Sequence, residues 1–117
     1  MSPAVASVEL LPKFLTVDAG KNAEFTCWTN IGDEYPYTKE IEWRKDGSAK
    51  LLQSNWRVSV VGDKLRVIEV SQDDAGMYQC SVKVKQEMYQ AAAQLKIGGM
   101  ELLQGRMDKI ARKITNN

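Results

Sequence analysis

Few side chains in this chain of 117 residues are of types that could do chemistry. Histidine, the side chain best suited to act as a general base near neutral pH, is absent. A catalytic base would have to be a carboxylate or a lysine of shifted pKa, and the adjacent carboxylates Asp73 and Asp74 are the candidates considered. Both fall in a stretch typical of a turn, and no glycine-rich phosphate-binding loop is present. We therefore predict that the protein is not an enzyme.

The remaining composition excludes other classes of function. Cys27 and Cys80 are the only cysteines, too few for a zinc cluster, so neither a metal nor a cofactor is expected. With 16 basic and 15 acidic residues, the net charge of +1 predicts no general attraction to nucleic acid or anionic membrane. No apolar run approaches the roughly 18 residues of a membrane-spanning helix, so direct membrane insertion is not expected. The first residues lack the regions of a signal peptide, which fits an intracellular protein or a trimmed mature fragment, and we favour the fragment.

The secondary structure that positions the cysteines and carboxylates is predicted to be β-strand, because apolar and polar residues alternate along the chain. Ala23, Phe25 and Cys27 alternate with polar residues, and Ile41 and Trp43 do the same after a polar loop. Further short alternating segments follow up to residue 97, separated by turn signals such as Asp-Gly and Gly-Asp. Seven or more short strands at such intervals indicate a sandwich or a barrel.

The chain changes character after the Gly98-Gly99 break. Apolar residues then recur at steps of three and four, which predicts an amphipathic helix over 100–114. Its apolar stripe consists of Met100, Leu103, Met107, Ile110 and Ile114. We divide the chain into a β domain at 1–99 and a helical tail at 100–117. Four roles are open for this helix. It could associate with another chain, for example as a homodimer, or link the domain to a following one. It could also dock on the domain's own sheet, or be an artificial extension.

Four motifs of the β region resemble the immunoglobulin superfamily, most closely its intermediate set (I-set). They are Val17-x-x-Gly20-x-x-Ala23-x-Phe25-x-Cys27, Trp43, Leu65-x-Val67-x-x-Val70, and Asp74-x-Gly76-x-Tyr78-x-Cys80. Together they cover residues from about 5 to 97 and are similar to membrane-distal domains of neural cell adhesion molecules and to titin-like muscle domains. The resemblance implies an all-β, two-sheet Greek-key sandwich, to which the predicted C-terminal amphipathic helix is appended.

The resemblance also implies roles for the residues of these motifs. Cys27 and Cys80 are expected to form a disulfide between the sheets, with Trp43 packed against it. Tyr78 is expected to donate its hydroxyl to backbone upstream of its strand. Asp74 is expected to pair with Arg57.

Candidate protein-binding residues are the aromatic and large apolar side chains in loops and hairpins. Trp28, Tyr35 and Tyr37 belong to the long loop at 28–39, where aromatic residues suit an interface. The alternative for Trp28 or Tyr37 is that the side chain covers the end of the core. Trp56 is a further candidate anchor, with edge-strand packing as its alternative. Met88 and Tyr89 follow the tip of a charged hairpin, which also fits a solvated turn.

Two hypotheses about function follow. The first is a protein-binding module of a cell-surface or secreted adhesion or receptor protein, capable of self-association. The second is an intracellular structural module of a muscle or cytoskeletal filament, with the helix as a linker and a cytoplasmic, sarcomeric location. An oxidised cysteine pair favours the first, because disulfides persist in oxidising compartments, and a reduced pair favours the second.

Overall fold

The computed structural model describes residues 7–30, 40–84 and 86–98. Within these ranges the chain forms eight β-strands, and the only helical element is a 3₁₀ turn at Gln72–Asp74. The strands are β1 Ser7–Leu11, β2 Phe14–Asp18, β3 Ala23–Asn30, β4 Glu40–Lys45, β5 Val58–Val61, β6 Lys64–Val67, β7 Gly76–Val84 and β8 Glu87–Gly98. The predicted helix at 100–114 and the loop residues Tyr35 and Tyr37 lie outside the described residues, so the division of the chain at residue 99 stays a prediction.

The strands form two four-stranded sheets. Sheet A has the order β1-β3-β6-β5, and sheet B has the order β2-β8-β7-β4. Neighbouring strands are antiparallel except β2 and β8, which run parallel. The two sheets pack face to face, as the alternating sequence pattern requires for apolar side chains on one face of each sheet. The described residues thus form an all-β, two-sheet immunoglobulin-like sandwich.

The core lies between the sheets and is built from every second residue of each strand. Successive side chains of a strand point to opposite faces, so Ala23, Phe25 and Cys27 of β3 are buried while Glu24 and Trp28 are exposed. The same alternation holds in β6, β7 and β8. The largest buried side chains are Trp43, Phe25, Leu10, Leu65 and Leu95.

The chain crosses from sheet A to sheet B between β1 and β2. Pro12 follows the last residue of β1 and has no backbone N–H, so it cannot continue the hydrogen-bond ladder with β3. Its peptide bond with Leu11 is cis. After the crossing, the carbonyl of Lys13 accepts a hydrogen bond from the backbone N–H of Gln94 at 2.8 Å, next to the β2–β8 pairing.

A close approach between two turns requires glycine at the start of β7. Gly76 has a φ of +148°, and a Cβ placed on it would lie 2.5 Å from Oδ1 of Asp46. That same oxygen accepts a hydrogen bond from the backbone N–H of Met77 at 2.8 Å. The backbone N–H of Asp46 donates in turn to the carbonyl of Met77 at 2.7 Å. Asp46 therefore holds the first residues of β7 against the end of β4. Any side chain larger than hydrogen at position 76 would clash with the Asp46 carboxylate.

The free edge of β5 is covered by the segment that precedes it. The backbone N–H of Val60 donates to the hydroxyl of Ser54 at 2.9 Å, and that hydroxyl lies 3.4 Å from the Val60 carbonyl. The backbone N–H of Asn55 donates to the carbonyl of Val58, and the side-chain oxygen of Asn55 accepts from the Val58 N–H. Unpaired edge groups invite another strand to add on, so this cover protects sheet A from edge-to-edge pairing.

Candidate protein-binding surfaces

A disulfide and a tryptophan tie the two sheets together at the centre of the core. Cys27 on β3 is bonded to Cys80 on β7, with their Cα atoms 6.2 Å apart, which confirms the predicted disulfide. Trp43 lies opposite Cys80 in the β4–β7 register and is only 1% exposed. Its ring Nε1 donates to the carbonyl of Gly62, in the β5–β6 turn, at 3.1 Å. This bond links sheet B to sheet A and leaves the buried indole N–H paired.

Tyr78 joins the start of β7 to the 3₁₀ turn. Its hydroxyl donates to the backbone carbonyl of Asp74 at 2.6 Å, and its ring stacks on Phe25 with centroids 5.5 Å apart. Burial raises the pKa of Tyr78 well above its usual value, and the nearby charge of Asp74 raises it further. The hydroxyl therefore stays protonated and acts as a donor over the whole working range of pH.

The carboxylate of Asp74 pairs with Arg57 in a two-pronged contact. Nη1 of Arg57 lies 2.7 Å from Oδ2, and Nη2 lies 3.0 Å from Oδ1. Oδ2 also accepts the backbone N–H of Ser71 at 2.8 Å. Burial by itself would raise the pKa of Asp74, but the hydrogen bonds from Arg57 and Ser71 outweigh it and lower the pKa. The Asp74 carboxylate is thus ionised and stabilises the fold through its contacts with Arg57 and Ser71.

Asp73 and Asp74 do not converge on a reaction site. Asp73 is exposed, and its backbone carbonyl accepts a hydrogen bond from Nζ of Lys45. Beside Lys45 runs a groove of about 550 Å³, and the residues that line it include no carboxylate, cysteine or histidine. Across the described ranges, no three acidic, cysteine or histidine side chains are grouped so as to hold a metal ion.

The described ranges contain no helix with the length and apolar character needed to cross a membrane.

Exposed apolar side chains arise wherever two large apolar residues are consecutive in a strand. Because neighbouring side chains face opposite sides of a sheet, only one of the two can point into the core. The pairs, with the outward residue second, are Leu10/Leu11, Leu15/Phe14, Cys27/Trp28, Val60/Val61, Tyr78/Met77 and Tyr89/Met88. Phe14 is 79% exposed, Val61 68% and Trp28 46%. The outer faces of the sandwich therefore carry large apolar groups on a rigid support.

The outer face of sheet A, called here the A face, carries apolar and charged residues in cross-strand rows. One row runs from β1 to β5 through Leu11, Thr26, Lys64 and Val61. The next row runs through Glu24, Arg66 and Ser59, and on the other side Glu9 lies opposite Trp28. Apolar residues occupy both ends of the first row, and opposite charges occupy the centre of the second.

The outer face of sheet B, called here the B face, is arranged differently. Phe14 and Met77 lie in one row with Gln94 between them. Met88 lies farther along β8, opposite Lys83, at a small hollow that is also lined by Glu42. The B face therefore holds single apolar side chains that polar residues separate.

Comparison with known proteins shows which family the chain belongs to. Residues 6–97 match the immunoglobulin I-set domain. The chain belongs to the immunoglobulin I-set family. This confirms the interpretation of the sequence motifs, and the I-set match covers all three described ranges nearly to their ends.

Relatives of this I-set domain include proteins named as cell adhesion molecules. Cell adhesion molecule Dscam1 of Drosophila melanogaster is 37% identical over 100 residues, which are 82% of this chain and 4% of that protein. Contactin-5 of Mus musculus is 46% identical over 81 residues, which are 69% of this chain and 7% of that protein. A crystal structure of the N-terminal four Ig domains of Dscam1 isoform 4.44 aligns with a TM-score of 0.64 and 36% identity, covering 81% of this chain and 21% of that one. The I-set domain thus spans only a small part of each relative.

Of the predicted binding residues, the four within the described ranges lie at separate places on the I-set domain. Trp28, predicted to belong to the loop at 28–39, instead lies within β3 on the A face, and Met88 lies on the B face. Trp56 is 76% exposed in the segment before β5, with the guanidinium of Arg57 5.8 Å from its ring centroid. Tyr89 is half-buried against the core, and its hydroxyl donates to Glu87. Their roles in binding therefore stay predictions for separate surfaces.

Other outward apolar residues were missed by sequence reasoning. Phe14, Val61, Leu11 and Met77 were not among the predicted binding residues, although all four are exposed. The signal that identifies them is the doubled apolar residue within an alternating strand. Which member of a pair faces outward follows once its strand has one residue of known direction, as Cys27 provides for Trp28.

Proposed function

We propose that this I-set domain is a non-catalytic protein-binding module of a cell-surface or secreted adhesion or receptor protein. The observation that carries the proposal is the set of large apolar side chains on the outer faces, above all Phe14, Trp28 and Val61. Interfaces rely on a few such anchors held on a rigid support. Of the two carboxylates that were candidates for a catalytic base, Asp74 is instead held in the fold by Arg57 and Ser71.

The disulfide supports an extracellular location for the domain. A bond between Cys27 and Cys80 closes a long loop and persists in oxidising compartments, which include the cell exterior. Relatives named as cell adhesion molecules support the same location. A reduced pair of cysteines would instead favour the competing hypothesis of an intracellular filament module.

The state of the cysteines in the protein from its natural source separates these two locations. The protein would be denatured without reductant, alkylated with iodoacetamide and then analysed by mass spectrometry. We expect the peptides of Cys27 and Cys80 to remain linked and unalkylated. Two alkylated thiols in freshly isolated protein would favour the intracellular hypothesis.

Adhesion itself can be tested with beads coated with the oxidised full chain. The beads would be mixed with one another and with intact animal cells, before and after protease removes the cells' surface proteins. We expect attachment above that of albumin-coated beads to at least one of these targets, with cell attachment lost after proteolysis. Attachment no greater than that of albumin-coated beads to either target would contradict the proposed function.

Binding sites outside the described residues remain part of the proposal. Tyr35 and Tyr37 stay predicted contacts of the long loop. The tail at 100–117 stays a predicted association element, and a homodimer through its apolar stripe is one form of self-association that the bead assay would detect. Variants of the A face and the B face show whether the described surfaces suffice.

A further inference from the structure

The A face carries opposite charges in one row that do not pair with each other. Glu24 on β3 and Arg66 on β6 lie directly opposite in the antiparallel register, and both are exposed. The ion pairs of the described residues are Lys13–Glu9, Arg44–Glu42, Lys45–Asp46 and Arg57–Asp74, and none of them uses Glu24, Lys64 or Arg66. These three charges are therefore available to a group outside the domain.

The rows of the A face are complementary to themselves when read in reverse order. The row Leu11–Thr26–Lys64–Val61 has an apolar side chain at each end, and a hydroxyl beside an ammonium in the middle. In the next row, Glu24 and Arg66 occupy the same two middle strands. If a second A face is laid on the first with β3 over β6 and β1 over β5, each of these side chains therefore lies opposite one that it can bind.

We propose that the A face binds the A face of a second copy of this chain, around a twofold axis parallel to the strands between β3 and β6. This arrangement places Glu24 opposite Arg66 of the second copy and Thr26 opposite its Lys64. Leu11 then lies opposite Val61, and each contact occurs twice, as twofold symmetry requires. The inference rests on the proposed function, because it names the partner of a binding module.

The charges select this axis over the other twofold arrangement of two packed faces. An axis perpendicular to the strands, through the row that contains Thr26 and Lys64, would place Lys64 on Lys64 of the second copy. Shifted by half a row, it would place Lys64 on Arg66. Both arrangements bring like charges together, which disfavours them. With the axis along the strands, the two domains point in the same direction, so they associate side by side.

The size of the face predicts a weak contact. Four strands about 4.8 Å apart, with about five residues of about 3.3 Å rise, give roughly 320 Å² per copy, about two fifths of what each partner buries in a standard interface. Because the central contacts are exposed charges, added salt should weaken the contact further. Weak contacts of this kind suit adhesion proteins, since several linked domains can add their effects.

Sedimentation equilibrium of the full chain with charge-reversal variants tests the arrangement. Wild type should be a dimer at high concentration, and Glu24→Arg or Arg66→Glu alone should raise the dissociation constant by at least about tenfold. An equimolar mixture of the two single variants should restore association, because both contacts between positions 24 and 66 in the mixed dimer then pair opposite charges. The double variant Glu24→Arg/Arg66→Glu should restore it in one chain. Each variant's melting temperature shows whether the fold is retained.

A matched pair of variants separates the two faces. Val61→Lys on the A face should abolish the dimer, and Thr16→Lys on the B face should leave it unchanged, since both place a lysine at an exposed strand position that held a β-branched residue. A wild type that stays monomeric up to about 1 mM overturns the inference. So does a dimer that the single charge variants do not weaken, or one that neither the mixture nor the double variant restores. Beads that still attach to cells in any of those cases leave the proposed function standing without this interface.

Discussion

The interior of the sandwich and its A face are made from consecutive residues of the same strands, yet they carry different properties. Cys27 is bonded across the core, and Trp28, the next residue, stands on the outer face. Leu10 is buried, and Leu11 points outward. Alternation along a strand thus separates the residues that build the core from those proposed to bind a partner. Substitution inside should change the free energy of unfolding, and substitution outside should change association.

The largest expected effect is that of Trp43→Ala. Emptying this site removes the largest buried side chain and leaves the carbonyl of Gly62 without its donor, so we expect a loss toward the upper end of about 3–5 kcal/mol. Urea unfolding measures it. Trp56→Ala is the matched control, because Trp56 is exposed, and should stay within about 0.5 kcal/mol of wild type. Equal losses in the two variants would break the distinction between inside and outside.

Removing the disulfide should have the next largest effect. The double variant Cys27→Ala/Cys80→Ala opens a loop closed across 53 positions, which should lower the unfolding free energy by about 4 kcal/mol. Thermal melts of the variant and of wild type with and without reductant measure the loss. Reduced wild type should melt close to the variant. A reduced protein that melts like the oxidised one would show that the bond does not stabilise this core.

Asp74→Ala should cost about 2 kcal/mol, because it leaves the guanidinium of Arg57 and the backbone N–H of Ser71 without their acceptor. The neighbouring carboxylate provides the control, since Asp73 is exposed and Asp73→Ala keeps the backbone carbonyl that Lys45 contacts. Chemical denaturation of both variants should show a loss only for Asp74. Similar losses would mean that the turn responds to net charge and not to this ion pair.

The same carboxylate should make stability depend on pH. The pKa of Asp74 is lower in the folded chain than its unfolded value of about 3.9. Its contribution is therefore fully present above that unfolded value and is lost as the pH falls through the lower folded value. Unfolding free energies between about pH 2 and pH 7 should show this decline, and Asp74→Asn should flatten it. An equally steep decline in Asp74→Asn would assign it to other carboxylates.

The smallest effect on stability and the clearest effect on binding are expected for Trp28→Ser. Trp28 is half-exposed on the A face, so its loss should change the unfolding free energy by less than about 0.5 kcal/mol. Bead-to-bead attachment should nevertheless fall by about tenfold or more if Trp28 is an anchor. A variant that is less stable but attaches normally would show that Trp28 contributes to stability and not to binding.

Much of the fold could be predicted from the sequence, because alternation and the cysteine frame are local signals. The disulfide, the burial of Trp43 and the pairing of Arg57 with Asp74 all depend on motifs that the chain displays openly. The parallel pairing of β2 with β8 could not be foreseen, since it depends on the crossing at Pro12 and on strands some 80 positions apart. The placement of Glu24 opposite Arg66 needs the β3–β6 register, which no single segment specifies. The surface therefore emerges only when the strands are assembled.

The parallel pairing of β2 and β8 also determines how the domain should respond to mechanical load. β2 lies near the start of the described chain and β8 at its end, and five residue pairs connect them, from Phe14 with Gln94 to Asp18 with Gly98. A pull that draws the two ends apart acts along both strands in opposite directions. The pairs are then sheared together, whereas the strands of a hairpin pulled at its open end separate one pair at a time. We expect a domain stretched between two surfaces to resist through this short ladder before the core is loaded.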